Sequence, residues 1–189
     1  MENLKIGFAI CGSFCTIADA LKQIKTLVDN GNDVTPILSP IVYNTDTRFT
    51  NAEVLKSQLV SLTGNEIIHT IPDAEPIGPK KMFDILTVCP CTGNTLAKLT
   101  YGITDTAVTM AVKAHIRNNR PVVIALATND ALACTAKNIG YMLNTRNYYF
   151  VPLRQDDPVK KERSIVSDFD LLTDTINYAM NGKQITPII

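Results

Sequence analysis

The stretch Val88–Ala114 constrains this chain more than any other. It opens at the end of the apolar run Ile85–Cys89, I-L-T-V-C. That run has the length and β-branched content of a strand buried on both faces. Pro90 is expected to end it, having no N–H for the ladder and a fixed φ. Thr92, Gly93, Asn94 and Thr95 come next, small and rich in hydroxyl and amide groups. Leu96, Leu99 and Ile103, then Ala107, Met110, Ala111 and Ala114, recur at helical spacing. The segment therefore predicts a strand, a tight polar turn and a helix start. Free N–H groups and the positive end of the helix dipole at such a turn seat an anion such as a phosphate. Plain N-capping by Asn94 or Thr95, with nothing bound, satisfies the same residues.

The rest of the chain repeats the theme. Lys5–Cys11 reads as a strand running into Gly12-Ser13, and Thr16–Asn30 as a helix stopped by Gly31. Asp33–Leu38 is a second strand that Pro36 restricts to an edge or a bulge. Ser39-Pro40 closes it, and Thr50–Leu62 forms a helix ending near Gly64. Ile67–Ile71 is a short apolar piece containing His69. The three prolines of Pro72–Pro79 then predict a shaped loop with no regular element. A helix over Ile103–Ile116, separated from the preceding one by Gly102, leads to a strand over Val122–Ala127. Thr128, Asn129 and Asp130 stand at its end. Ala131–Leu143 reads as a helix, Tyr148–Val151 as a short strand, Pro152–Arg163 as a charged loop and Ser167–Asn181 as the closing helix.

Strands alternating with helices give an α/β chain with a mainly parallel sheet, expected to form one domain over residues 1–189. Ligands of such sheets bind beyond the carboxyl ends of the strands. The turns there are Gly12-Ser13, Ser39-Pro40, Pro90–Thr95 and Thr128–Asp130. They make a neutral, hydrogen-bonding rim suited to an anionic cofactor with a flat polar ring system. Neither G-x-G-x-x-G nor G-x-x-x-x-G-K-[ST] occurs, which argues against the usual NAD-binding turn and against a P-loop.

Composition narrows the partners. Lys plus Arg and Asp plus Glu each number 18, so no basic field attracts nucleic acid. No apolar stretch approaches the roughly 20 residues that span a bilayer, and the first residues do not read as a signal peptide, so a cytoplasmic protein is expected. The five cysteines, Cys11, Cys15, Cys89, Cys91 and Cys134, are expected to be reduced and to hold no metal. Cys-x-Cys is not a usual zinc spacing, and no second pair completes a site. A catalytic thiol at Cys91 or Cys15 stays open as a minor reading.

Pro90-Cys-Thr-Gly-Asn-Thr95 followed by Ala97-Lys-Leu-Thr-Tyr-Gly-Ile-Thr-Asp105 resembles the signature of the homo-oligomeric flavin-containing Cys decarboxylases. Strand ends at Gly12-Ser13, Ser39 and Asn129 support the likeness, which runs from about Leu4 to Val151. It implies a Rossmann-like or flavodoxin-like three-layer sandwich. It further implies an FMN site lined by Gly12, Ser13, Ser39, Thr92, Asn94 and Thr95, with Thr109 near the cofactor and Asn129 near the ring or substrate. A homo-oligomer, trimeric or a multiple, is implied as well.

Departures from the decarboxylases are equally specific. Where they carry a catalytic His before the signature, this chain reads Ala74-Glu-Pro-Ile-Gly-Pro79, and His69 lies too far upstream to replace it. Glu75, held among prolines, is the candidate acid–base residue instead. Their P-x-M-N-x-x-M-W motif is reduced to Ala127-Thr-Asn-Asp-Ala-Leu132, in which only Asn129 corresponds. The likeness within the superfamily thus points away from decarboxylation. It points towards one component of an oxidoreductase, working with a separate dehydrogenase-like chain that carries NADP or NAD, in the cytoplasm of a spore-forming bacterium. Lys80, Lys81 and Arg154 are candidate contacts for a dianionic product. The alternatives are an independent FMN enzyme of the decarboxylase or flavin prenyltransferase type, or a non-catalytic partner of the dehydrogenase-like chain.

Overall fold

A computed structural model describes residues 3–189. The chain runs β1 (Lys5–Ile10), α1 (Ile17–Asp29), β2 (Asp33–Leu38), α2 (Pro40–Asn44), α3 (Ala52–Thr63), α4 (Ile71–Ala74), β3 (Ile85–Cys91), α5 (Gly93–Thr100) and α6 (Ala107–Ile116). It continues with β4 (Val122–Thr128), α7 (Ala136–Leu143), β5 (Tyr148–Phe150), β6 (Leu153–Asp157), β7 (Lys161–Ser167) and α8 (Leu172–Met180).

The central strands lie in the order β2-β1-β3-β4, all parallel. β2 is the edge that Pro36 requires, and Gly31 turns the chain into it at φ +80°. Side chains alternate between two cores, as the two-residue period of a strand demands. Ile6, Phe8 and Ile10 face α1, α3 and α8, packing with Ile24, Leu59 and Ile176. Ala9, Leu86, Val88 and Ile124 face the other way, towards Val108 and Val112 of α6 and Ile139 of α7. The result is the expected three-layer α/β sandwich.

Several boundaries differ from the sequence reading, each for a local reason. β3 does not stop at Pro90 but continues to Cys91 through a cis Cys89–Pro90 peptide and a register shift against β4. A proline's missing N–H is tolerated at such an irregularity, and the Pro90 carbonyl still accepts from Cys11 N at 3.1 Å. The proline-rich Pro72–Pro79 is not devoid of structure. α4 and a 3-10 turn at Glu75–Ile77 place Pro72 and Pro76 in their first turns, where the absent N–H is not needed. α6 starts at Ala107 rather than Ile103, because Thr106 and Thr109 form a reciprocal capping box there. α7 starts at Ala136, after turns over 129–135.

The charged segment Pro152–Arg163 is not a loop. Its two ends pair as the antiparallel hairpin β6–β7, with Arg154 opposite Val166 and Asp157 opposite Lys161. Ser167 consequently ends β7, and the closing helix is confined to α8 behind a 3-10 turn at Phe169–Leu171. One edge of β4 is shared between two partners. β5 pairs in parallel with its first half, Val122 to Ile124, and β7 pairs antiparallel with its end, Ala127 and Thr128. The hairpin therefore stands at the carboxyl end of the sheet. No helix among the described residues is long and apolar enough to cross a membrane.

Candidate functional site

A cleft of about 380 Å³ opens beyond the carboxyl ends of β1, β2 and β3. One wall is Gly12, Ser39, Pro40 and Ile41, from the turns after β1 and β2. The other is Thr92, Asn94, Thr95 and Lys98 of the β3–α5 segment, with Thr106 at the head of α6. The cleft thus lies against the starts of α5 and α6, where main-chain N–H groups and helix dipoles favour an anion. A larger groove of about 820 Å³ between α1 and α3 is lined by Ala18, Leu21, Val54 and Leu62. It lies away from the strand ends, and its lysines Lys22 and Lys25 are already paired with Asp19 and Asp29.

The α5 start is built by Thr92, not by Asn94 or Thr95. Thr92 Oγ1 caps the helix by accepting from Thr95 N at 3.2 Å and donates to Thr95 Oγ1 at 3.1 Å. Thr95 in turn donates to Cys11 Sγ at 3.3 Å, tying the helix to the end of β1. Asn94 is left exposed in the first turn. Ser39 stands at the head of α2, yet its side chain makes no capping bond. Ser39 lines the cleft, and its Oγ is buried there with no hydrogen-bond partner. Buried hydroxyls are nearly always satisfied, so this orphan is what a ligand atom would complete.

Gly93 lies under a second polar cluster. Asp130 Oδ1 accepts from Thr128 Oγ1 at 2.6 Å and from Thr135 Oγ1 at 2.7 Å. Those two hydroxyl bonds hold the Asp130 carboxyl below its ordinary pKa. The carboxylate is thereby fixed beside the start of α5, a position that the sequence reading passed over in favour of its neighbour Asn129.

The predicted residues separate into those that converge and those that do not. Gly12, Ser39, Thr92, Asn94 and Thr95 share the cleft. Ser13 is next to it, with its N–H spent on Cys11 O and its hydroxyl accepting from Thr16 at 3.1 Å. Thr109 is buried behind Thr106, completing that residue's capping box. Asn129 is exposed in the turn after β4 and does not line the cleft. Glu75 is exposed at the end of α4, also outside the lining. Lys80 and Lys81 precede β3 and so lie at the opposite end of the sheet from the cleft, while Arg154 is exposed on the hairpin. His69 stacks on Tyr43 with ring centroids 3.9 Å apart. Sequence reasoning did not single out Lys98 and Thr106, although Lys98 falls inside the signature.

The cysteines nearest the strand ends are not nucleophiles in this arrangement. Burial pushes Cys11 up to about 11 and Cys89 and Cys91 well above the ordinary thiol value, so all three are neutral thiols. All five cysteines are free, and no cluster able to hold a metal occurs among the described residues.

A doubly covered parallel sheet whose strand ends carry a neutral, donor-rich cleft, entered through P-C-T-G-N-T, defines the class. This chain belongs to the Flavoprotein family, whose model matches residues 1–177. Within that family it is a full-length homologue of the dipicolinate synthase B subunit. It is 42% identical to that protein of Bacillus subtilis over 189 residues, 100% of this chain and 94% of the relative. The crystal structure of the dipicolinate synthase B subunit from Bacillus halodurans superposes with a TM-score of 0.91 at 37% identity, covering 99% of this chain and 96% of that one. The FMN-dependent cysteine decarboxylase SpaF shares the fold, with a TM-score of 0.69 at 18% identity over 94% of this chain and 95% of that one.

Proposed function

We propose that this chain is the flavin-carrying B subunit of a dipicolinate synthase. It acts with the A subunit of that enzyme, a dehydrogenase-like partner holding NADP or NAD, to oxidise a dihydrodipicolinate-level intermediate to pyridine-2,6-dicarboxylate. The likeness to the Bacillus protein over the whole chain supports the assignment. The observation that carries the cofactor is the buried, unpartnered hydroxyl of Ser39, a residue of the wall of a cleft of small polar groups.

FMN fits these residues. Ser39 would offer a hydroxyl to its polar groups, Thr92 an acceptor oxygen, Asn94 an amide, and Gly12 a surface without a side chain. Ser13 and Thr95 support that wall, and Thr109 holds Thr106 in place from behind. Bound there, FMN would supply a two-electron acceptor. Ile41, on the same wall and 52% exposed, would exclude water from the opening. Asp130, held as a carboxylate by two hydroxyls beside the α5 start, stands outside the cleft lining together with the exposed Glu75 and Asn129, so the proton transfer is assigned to none of the three. A homo-oligomer in the cytoplasm of a spore-forming cell completes the proposal.

Missing decarboxylase residues weigh against the independent-enzyme alternative, since neither the upstream His nor the Met and Trp are in place. The test is reconstitution. Purified chain, its dehydrogenase-like partner, dihydrodipicolinate and NADP should together form pyridine-2,6-dicarboxylate at a rate that rises with added FMN. Product formation at the same rate by the dehydrogenase-like partner without this chain would overturn the catalytic role.

A further inference from the structure

Lys98 is the one cation among the described residues that line the cleft. It lies one helical turn beyond Asn94, and residues four apart share a helix face. Its side chain is 23% exposed and lies on the cleft wall. Its ammonium meets both carboxylate oxygens of Asp105, at 2.7 and 2.9 Å. Asp105 belongs to the irregular segment between α5 and α6, and its side chain is 53% exposed. Such a solvent-facing pair contributes little to stability, so a better-placed anion can displace one member at small cost. The remaining polar groups of the cleft are uncharged, with the Ser39 hydroxyl still unpartnered.

We propose that Lys98 sets the cleft's selectivity for a ligand oxyanion, and that Asp105 holds the ammonium until that oxyanion competes for it. The proposal rests on the reading of the cleft as a ligand site and deepens it. The oxyanion is a phosphate if it belongs to a flavin mononucleotide, and a carboxylate if it belongs to a pyridine dicarboxylate. Lys98 and Asp105 then have opposite effects on binding, although each substitution breaks the same ion pair. A merely structural pair would give effects of one sign.

The experiment titrates the full-length chain, as wild type, K98M, K98R and D105N, with FMN, riboflavin and pyridine-2,6-dicarboxylate by calorimetry. Circular dichroism establishes that each variant is folded. K98M should weaken the anionic ligand about tenfold, the scale of a lost charge-assisted contact. D105N should tighten it about threefold by removing the competing carboxylate, and K98R should stay near wild type. Loss confined to FMN, with riboflavin unchanged, assigns the phosphate; loss confined to the dicarboxylate assigns the carboxylate. Wild-type binding that K98M leaves unchanged, or that K98M and D105N shift in one direction, overturns the inference while the cleft reading stands. A wild type that binds none of the three ligands overturns both.

Discussion

A Cβ on Gly93 would lie 3.0 Å from Asp130 Oδ1 and 2.7 Å from the hydroxyls of Thr128 and Thr135. The first residue of α5 is thus packed against the polar turn after β4 with no room for a methyl group. Alanine within a helix is normally favoured over glycine by about 1 kcal/mol. Here the sign should reverse, because both hydroxyls donate to the one Asp130 oxygen and the three must give way together. G93A is expected to destabilise the fold by about 1–3 kcal/mol, as overpacked sites do. Urea unfolding at neutral pH measures it, and a stabilised G93A would show that the turn is loose.

Ser39 should behave in the opposite manner. Its hydroxyl is buried without a partner, so the free protein carries the desolvation cost and gains no bond. S39A is expected to leave stability unchanged or raise it by up to about 1 kcal/mol, while weakening FMN. The same preparation should be tested by thermal melting and by flavin titration. A clear drop in melting temperature would show that the hydroxyl has a structural partner.

His115 makes acid stability depend on a single buried ring. It is 1% exposed, with Nε2 at 3.1 Å from the Pro121 carbonyl. Burial lowers its pKa from 6.5 to about 4. Between those values the unfolded chain binds the proton and the folded chain does not, so stability falls as the pH falls. The loss begins near 6.5 and is complete near 4, and it amounts to about 3 kcal/mol over that window. In His115→Gln the slope between those two pH values should flatten. An unchanged slope in chemical unfolding would assign the acid sensitivity elsewhere. Asp105, Asp130 and Asp156, whose pKa values are lowered by hydrogen bonds from Lys98, Thr128 and Lys161 respectively, add a loss at lower pH only.

Gln184 closes the outer edge of β5. Its Oε1 accepts from Phe150 N at 2.8 Å, and its Nε2 donates to Phe150 O at 2.7 Å. Q184A leaves both main-chain groups of a buried residue without that partner and is expected to cost about 1–3 kcal/mol. Hydrogen exchange at the Phe150 amide should accelerate in parallel. Protection equal to wild type would contradict this bonding.

The parallel strands were legible because each is a short apolar run doubly buried in the sheet, and a burial pattern of that kind is written in the sequence itself. The cleft was legible for the same reason: Gly12, Ser39 and Thr92–Thr95 fall at strand ends. What escaped depended on contacts distant in sequence. Arg154 to Arg163 are mostly charged, and only pairing with β4 through Val166 and Ile165 turns them into strands. Pro72 and Pro76 were read as breakers, whereas their place in a first turn removes the penalty. Lys98 sits in the quoted signature, but its importance comes from sharing the cleft with Ser39, which no local pattern encodes. Asp130 was hidden by Asn129, the residue that the family motif selects.

The central claim is that the cleft binds FMN, and absorbance titration of the purified full-length chain tests it most directly. Increasing FMN should perturb the visible flavin band until it saturates at a stoichiometric ratio, with S39A requiring more ligand. An unperturbed flavin spectrum at every ratio, with and without the dehydrogenase-like partner, would contradict it.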